Sequence, residues 1–414
     1  MDKRNHVAIF LSNNTDKLQL THQLMAGKLK GILAGLNYQK GALFSSISLN
    51  EFIEEEALHE EWVVSKQFNR SIRNLSSGEQ KKALLTYLLS KQPEYIILDN
   101  PFDNLDIAFQ ATLLQIINEV ASHTTILQLI SRHRDYLPFI PNAFKYEDNE
   151  LKPIEDITQF LKDNSAKCKT GAASIPPPIH DYNLNDTELV SFKDVTVRYE
   201  ERVIVKDINW TIKAGEFWQL VGPNGSGKTT LLTMINGDNP KAYGQDLTLF
   251  GKKKGTGETV WQIKQKIGYL TPSMTDLFNT RHTLEQMIIS GFLDSIGLYK
   301  IPSDMQVRLA DAWLEVIEMS HLKKKIFCSF SLGQQRLALV ARTMVKHPPL
   351  LILDEAMSGL DDHNAALVTS LINKMAAESK TAILYVSHRI EDGLLPNNIF
   401  ELIPTESGSR GKIL

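Results

Sequence analysis

Residues 222–229 read Gly222-Pro-Asn-Gly-Ser-Gly-Lys-Thr229 and fit the pattern G-x-x-x-x-G-K-S/T at every fixed position. Chemistry on phosphates needs this spacing. Gly222, Gly225 and Gly227 let the backbone curl close around an anion, with Pro223, Asn224 and Ser226 filling the loop between them. The helix expected after the loop presents free N–H groups and the positive end of its dipole. Lys228 can reach the outer phosphates of a nucleotide, the Thr229 hydroxyl can hold Mg²⁺, and Thr230 continues the binding stretch. A second element, Leu350-Leu-Ile-Leu-Asp-Glu355, sets an apolar run ahead of two adjacent carboxylates. Asp354 would emerge at the end of a buried strand to anchor Mg²⁺, and Glu355, one residue on, would polarise an attacking water. A third element, Ile383-Leu-Tyr-Val-Ser-His388, is a buried strand ending in a histidine. A lone histidine at a strand end is more often structural; following the other two motifs in this order, the functional reading is the better one.

These side chains work only if strands hold them in place. Phe217-Trp-Gln-Leu-Val221 is a short apolar run that feeds straight into the glycine loop, and strand–loop–helix order recurs at Leu350–Leu353 and Thr381–Val386. Buried strands alternating with helices imply a parallel sheet covered on both faces, an α/β phosphate-loop architecture. Two further strands rich in branched residues, Leu189–Arg198 and Val203–Ile212, precede the loop.

The chain also repeats itself. Leu75-Ser-Ser-Gly-Glu-Gln80 leads into Tyr95-Ile-Ile-Leu-Asp-Asn100 and Asp103-Asn-Leu-Asp106. Phe330-Ser-Leu-Gly-Gln-Gln335 leads in the same way into Leu350–Glu355 and Ser358-Gly-Leu-Asp361, at a constant offset. Domain boundaries follow: a first copy over 1–162, a linker over 163–186 and a second copy over 187–414. The linker carries Pro176-Pro-Pro178 and, fully extended, would span about 70–80 Å.

The first copy is truncated and degenerate. It starts at Val7-Ala-Ile-Phe-Leu11, with no counterpart of the two strands before the loop. Its loop reads Leu11-Ser-Asn-Asn-Thr-Asp-Lys-Leu18, so both fixed glycines are gone and Leu18 replaces the Mg²⁺ hydroxyl. Asp16 brings a negative charge toward the phosphate position, Asn100 replaces the carboxylate base, and Ser131 stands at the histidine position, with His133 two residues out of place.

Composition excludes some classes. With 43% hydrophobic and 22% charged residues and a net charge of −3, the chain is globular and lacks the broad basic footprint of a nucleic-acid binder. Lys252-Lys-Lys254 reads as a solvated basic turn. Cys168 and Cys328 lack metal-ligand spacing and read as free thiols of a reducing compartment. No signal peptide is recognisable, and no apolar run reaches the roughly 18–20 residues needed to span a bilayer. The expectation is a cytoplasmic protein, at most peripheral at the inner face of a membrane.

With these motifs in line, the sequence resembles the nucleotide-binding domains of ATP-binding cassette proteins, over nearly all of 188–414 and more loosely over 5–140, and within them the tandem cassettes of the ModF type. The resemblance implies ATP and Mg²⁺ as ligands, with ATP hydrolysis as the activity. It assigns Tyr199 to stacking on adenine, Asp354 to the metal, Glu355 to catalysis and His388 to the switch position. Ser331–Gln334 and Ser76, Gly78 and Gln80 look like the family's signature, with Phe330 and Leu332 departing from it. Where the family has a glutamine after Ile267–Leu270, this chain has Thr271-Pro272. Family domains pair head to tail, so the intact loop would face the well-formed Ser76 signature and give one working site per chain; a homodimer is the alternative. The resemblance implies as partner a membrane permease for a molybdate-like anion. A soluble ATPase acting on ribosomes or nucleic acid, and a nucleotide sensor, are the competing readings.

Overall fold

The structure is a computed structural model that describes residues 5–27, 31–59, 62–66, 70–163, 173–180, 182, 187–278 and 281–414. The chain divides into two compact units, one of Met1–Ala166 with Gly359–Asp362 and one of the remainder.

The sheet of the front unit runs, in spatial order, Gly41–Phe44, Tyr95–Asp99, Thr125–Ile130, Val7–Phe10, Asn142–Glu147 and Glu150–Pro153. Its strands pair in parallel except for the last pair, which is an antiparallel hairpin. The principal sheet of the rear unit repeats this order: Ile267–Leu270, Leu350–Asp354, Ala382–Ser387, Phe217–Val221, Asn398–Ile403 and Arg410–Ile413. The phosphate loop therefore leaves from a central strand. Every residue of Phe217–Val221 is buried, as a strand covered on both faces requires.

The rear unit adds a four-stranded antiparallel sheet of Lys252–Lys253, Asp246–Leu249, Glu188–Tyr199 and Arg202–Lys213, which has no counterpart among the described residues of the front unit. Aromatic packing fixes it to the principal sheet. The Trp210 ring stacks on Phe400 at 4.3 Å between centroids and meets Trp218 edge-on at 5.7 Å, each pair adding to simple burial. This joint places Tyr199, Arg202 and Ile204 beside the phosphate loop.

Two expectations need correcting. Of the linker, residues 164–172, 181 and 183–186 lie outside the described residues, Cys168 among them. The described part is not a free tether. The Ile175 N–H donates to Glu378 at 2.8 Å, Pro176 is buried, and the Tyr182 hydroxyl reaches the Gln265 and Lys346 carbonyls at 3.3 and 3.4 Å. The extended reach expected of the whole linker does not apply to residues 173–180 and 182. The second correction concerns Lys254, which is not solvated. It is 4% exposed, 3.7 Å from Glu258 and 5.1 Å from the centre of the Tyr243 ring, because the turn folds inward onto partners that no local pattern reveals. Cys328 is free and exposed. Among the described residues, no helix is long and apolar enough to cross a membrane.

Candidate active site

Behind the phosphate loop, Gln219 donates to the Ser387 hydroxyl at 3.0 Å and to the Arg389 carbonyl at 3.1 Å, so the strands that end in the loop and in His388 are pinned together. The loop itself leaves no room for side chains. A Cβ on Gly222 would lie 2.8 Å from Ser226 Oγ and 2.9 Å from the Leu402 carbonyl. Gly227 sits at φ +99°, and a Cβ there would lie 2.5 Å from Val205 Cγ1.

Gly227, having no side chain, caps the helix Lys228–Ile235 without a side-chain hydrogen bond of its own. A helix start of this kind presents N–H donors to an anion. The Lys228 ammonium donates to the Gly222 and Pro223 carbonyls at 2.6 and 3.0 Å, which holds it over the loop.

The two carboxylates arrive from the end of Leu350–Asp354, which lies on the far side of Ala382–Ser387 from the loop's strand, but differ in environment. Burial, with the Glu355 charge alongside, pushes Asp354 up to about 6, partly offset by Lys228. His388 Nδ1 stands 3.5 Å from Glu355 Oε1, and its proximity holds the Glu355 carboxyl below its ordinary value. Glu355 is thus kept ionised, as a base requires. Its backbone is left-handed at φ +47°, uncommon for a side chain of this size. Strain of this kind persists where the surroundings impose it, and it gathers at functional positions.

Lys228, Asp354 and Glu355 share a cavity of about 540 Å³, with His388 outside its lining and behind Glu355. Its walls bring together Tyr199, Asn224, Gly225, Gly227, Lys228, Thr229, Thr230, Asp354 and Glu355, all of them expected from the sequence. Arg202 and Ile204 line it too, and sequence reasoning missed them; so does Pro272, which the sequence marked only as standing where the family has its glutamine. A cation three residues past Tyr199 was the available signal for Arg202. Tyr199 is 43% exposed and its hydroxyl accepts from Asn239 at 3.1 Å, which steadies the ring while leaving surface free for stacking. The Thr229 hydroxyl and Asp354 carboxylate are hard oxygen donors that suit Mg²⁺, and a buried carboxyl raised by a neighbouring negative charge is one a divalent cation would relieve.

In the front unit the same positions are satisfied internally. The Asp16 side chain accepts from the Gln19 N–H and caps the helix Lys17–Met25, filling the position an anion would take. Lys17 is held by Asp99 at 3.0 Å. Asn100 donates to the Ser131 hydroxyl at 3.3 Å and accepts from the Ser131 N–H at 3.0 Å. Asn100 is left-handed as well, at φ +42°, a conformation asparagine tolerates better than glutamate. The backbone frame survives, and its charges are neutralised.

The signature turns are well formed in both units. Ser76 caps the helix Ser77–Ser90 in a reciprocal box with Glu79, and Ser331 caps Leu332–Met344 with Gln334. Gly78 is needed for packing, since a Cβ would lie 2.7 Å from the Phe109 ring. The Gln80 side chain donates to the Ile72 carbonyl at 2.9 Å and serves as an internal tie, while Ser76 is exposed.

A profile of the ABC transporter family matches residues 205–358. The chain is 37% identical over 347 residues to the ABC transporter ATP-binding protein ModF of Escherichia coli (strain K12), covering 81% of this chain and 71% of that protein. The chain belongs to the ATP-binding cassette (ABC) family. An uncharacterized ABC transporter ATP-binding protein of Schizosaccharomyces pombe is 32% identical over 328 residues, covering 77% of this chain and 66% of that one. In fold the chain also matches the ribosome-bound archaeal Pelota and ABCE1 structure, with a TM-score of 0.64 at 14% identity over 100% of this chain and 75% of that one. The protein is therefore an ATP-binding ABC ATPase with tandem cassettes of the α/β phosphate-loop fold.

Proposed function

We propose that the rear cassette, within 187–414, carries the turnover, and that the degenerate cassette of 1–162 lends it a signature turn across the 163–186 linker. The observation that supports this most is the contrast between matched positions. Gly227, Lys228, Thr229, Glu355 and His388 in the rear cassette answer to Asp16, Lys17, Leu18, Asn100 and Ser131 in the front one. In this reading Tyr199 stacks on adenine and the helix start at Lys228 takes the phosphates. Thr229 and Asp354 hold Mg²⁺, which when bound offsets charge on the phosphate oxygens. Glu355 accepts the proton of the attacking water, and His388 keeps Glu355 ionised and oriented. Ser76 and the N–H groups of its helix start would complete the outer-phosphate contacts, with Gly78 and Gln80 shaping that turn.

The kinship with ModF favours energy coupling to a membrane permease, for which a molybdate-like anion is the cargo we infer. Pro272 offers no side-chain amide to the cavity, so coupling would have to run through other groups. Action on ribosomes, suggested by the ABCE1 likeness, rests on fold alone; ribosome binding that falls steeply with salt would favour it.

Phosphate release by the full chain tests the site. Lys228→Ala and Ser76→Arg should each abolish it, and Ser331→Arg should leave most of it. The reverse ranking of the two serines would mean that rear cassettes pair between chains.

A further inference from the structure

Beside the phosphate loop, the strands Glu188–Tyr199 and Arg202–Lys213 are joined by a two-residue turn, Glu200-Glu201. Tyr199 pairs with Arg202 across that turn, so both side chains project from one face of the hairpin. Directly opposed residues of this kind hold their Cβ atoms about 4.5–5.5 Å apart. Both line the nucleotide cavity. Farther along, Ile204 is the extra residue of a bulge between the pairs Arg198–Val203 and Val197–Val205. The bulge lets Ile204 and Val205 both close on Gly227. The hairpin therefore meets the cavity with its tip at Tyr199 and its bulge at the phosphate loop.

The cations of the cavity wall are Arg202 and Lys228. Lys228 sits at the loop end, its ammonium on the Gly222 and Pro223 carbonyls. Among the described residues the Arg202 guanidinium makes no ion pair, and the Glu200 and Glu201 carboxylates next to it in the chain do not reach it. An exposed arginine needs no partner but water; this one stands in the cavity wall, opposite the ring assigned to the base. A nucleotide stacked on Tyr199, with its outer phosphates at Lys228, carries its α-phosphate between those two points. The base is neutral and offers a guanidinium single ring nitrogens, whereas the α-phosphate offers two charged oxygens that match the fork. From Arg202 to Ile204, which stands over Gly227, the strand advances about 6–7 Å, a span that an extended arginine side chain covers.

Resting on the assignment of ATP to this cavity, we propose that Arg202 is a further nucleotide-binding residue, whose guanidinium takes the α-phosphate and fixes the segment between base and loop. The contact is common to ATP and ADP and indifferent to the identity of the purine.

Equilibrium binding of ATP, ADP and GTP to the full chain, with Glu355→Gln in place to stop turnover, tests this. Arg202→Ala should weaken all three by one common factor of about tenfold or more, the worth of a charged hydrogen bond. Arg202→Lys keeps the charge but not the fork and should lose less. Because Arg202 is exposed, neither variant should move the melting temperature of the nucleotide-free chain. Lys241→Ala is the control: it removes the same charge 5.9 Å from the centre of the Tyr199 ring, outside the cavity lining, and should change affinity little. A loss that spares ADP would put the guanidinium on an outer phosphate, and a loss that spares GTP would put it on the base. No loss, or an equal loss with Lys241→Ala, would leave no specific contact. Each of these results overturns the proposal. ATP binding unaltered by Lys228→Ala would instead remove the nucleotide from this cavity, and the underlying assignment would fall with it.

Discussion

Gly227→Ala asks whether the loop's shape is imposed by its surroundings or merely allowed by glycine. The residue sits at φ +99°, and the added methyl would lie 2.5 Å from Val205 Cγ1 and 3.1 Å from Ile204 Cγ2. A left-handed backbone costs a residue with a Cβ roughly 1–2 kcal/mol, and forcing a methyl into a packed strand roughly 1–3 more. The sum, about 2–5 kcal/mol, corresponds to a melting shift of roughly 4–20 °C for a unit of this size. Gly225→Ala is the internal control: at φ +77° it meets the same backbone cost, but nothing lies within 4 Å of the new methyl. Its loss should stay near about 1–2 kcal/mol. Denaturant unfolding of the nucleotide-free chain, followed by tryptophan fluorescence, reads both; four of the five tryptophans fall within 187–414. Equal losses for the two variants would show that Val205 and Ile204 do not constrain the loop, and the geometric account of the site would fail with them.

Glu355→Gln keeps the side chain's size but removes the base, so single-turnover phosphate release should fall by about 10²–10⁴-fold while ATP still binds. Turnover near the native rate would reassign the base. Lys81 gives a pH test of the front unit, since burial lowers its ammonium to about 8. The folded state then releases this proton before the unfolded state does, so stability should rise from pH 8 toward 10.5. Comparison with Lys81→Met isolates the effect. Parallel native and variant stability profiles across that window would contradict it.

The strand-and-loop frame of the site was legible because its signals are local. An apolar run followed by fixed glycines specifies a buried strand and an anion loop, and the carboxylates end a second apolar run. The duplication was legible as well, and the two sheets repeat one strand order. What stayed hidden depends on partners distant in sequence. The triple lysine gave no sign that Lys254 turns inward, since Tyr243 and Glu258 enclose it only after folding. Asp16 was legible as a charge in the wrong place; that it caps its own helix needed the backbone. The hold of residues 173–180 and 182 on the rear unit runs through main-chain groups and Glu378, which no composition of the linker announces. Left-handed backbone at Glu355 likewise has no signature in residue type, whereas Asn100 is of a type that tolerates it.

The most direct measurement is the stoichiometry of ATP bound to the full chain carrying Glu355→Gln, by equilibrium dialysis with Mg²⁺ present. One ATP per chain is expected, abolished by Lys228→Ala and untouched by Lys17→Ala. Two ATP per chain, or binding that survives Lys228→Ala and disappears with Lys17→Ala, would contradict the assignment of the site to the rear loop.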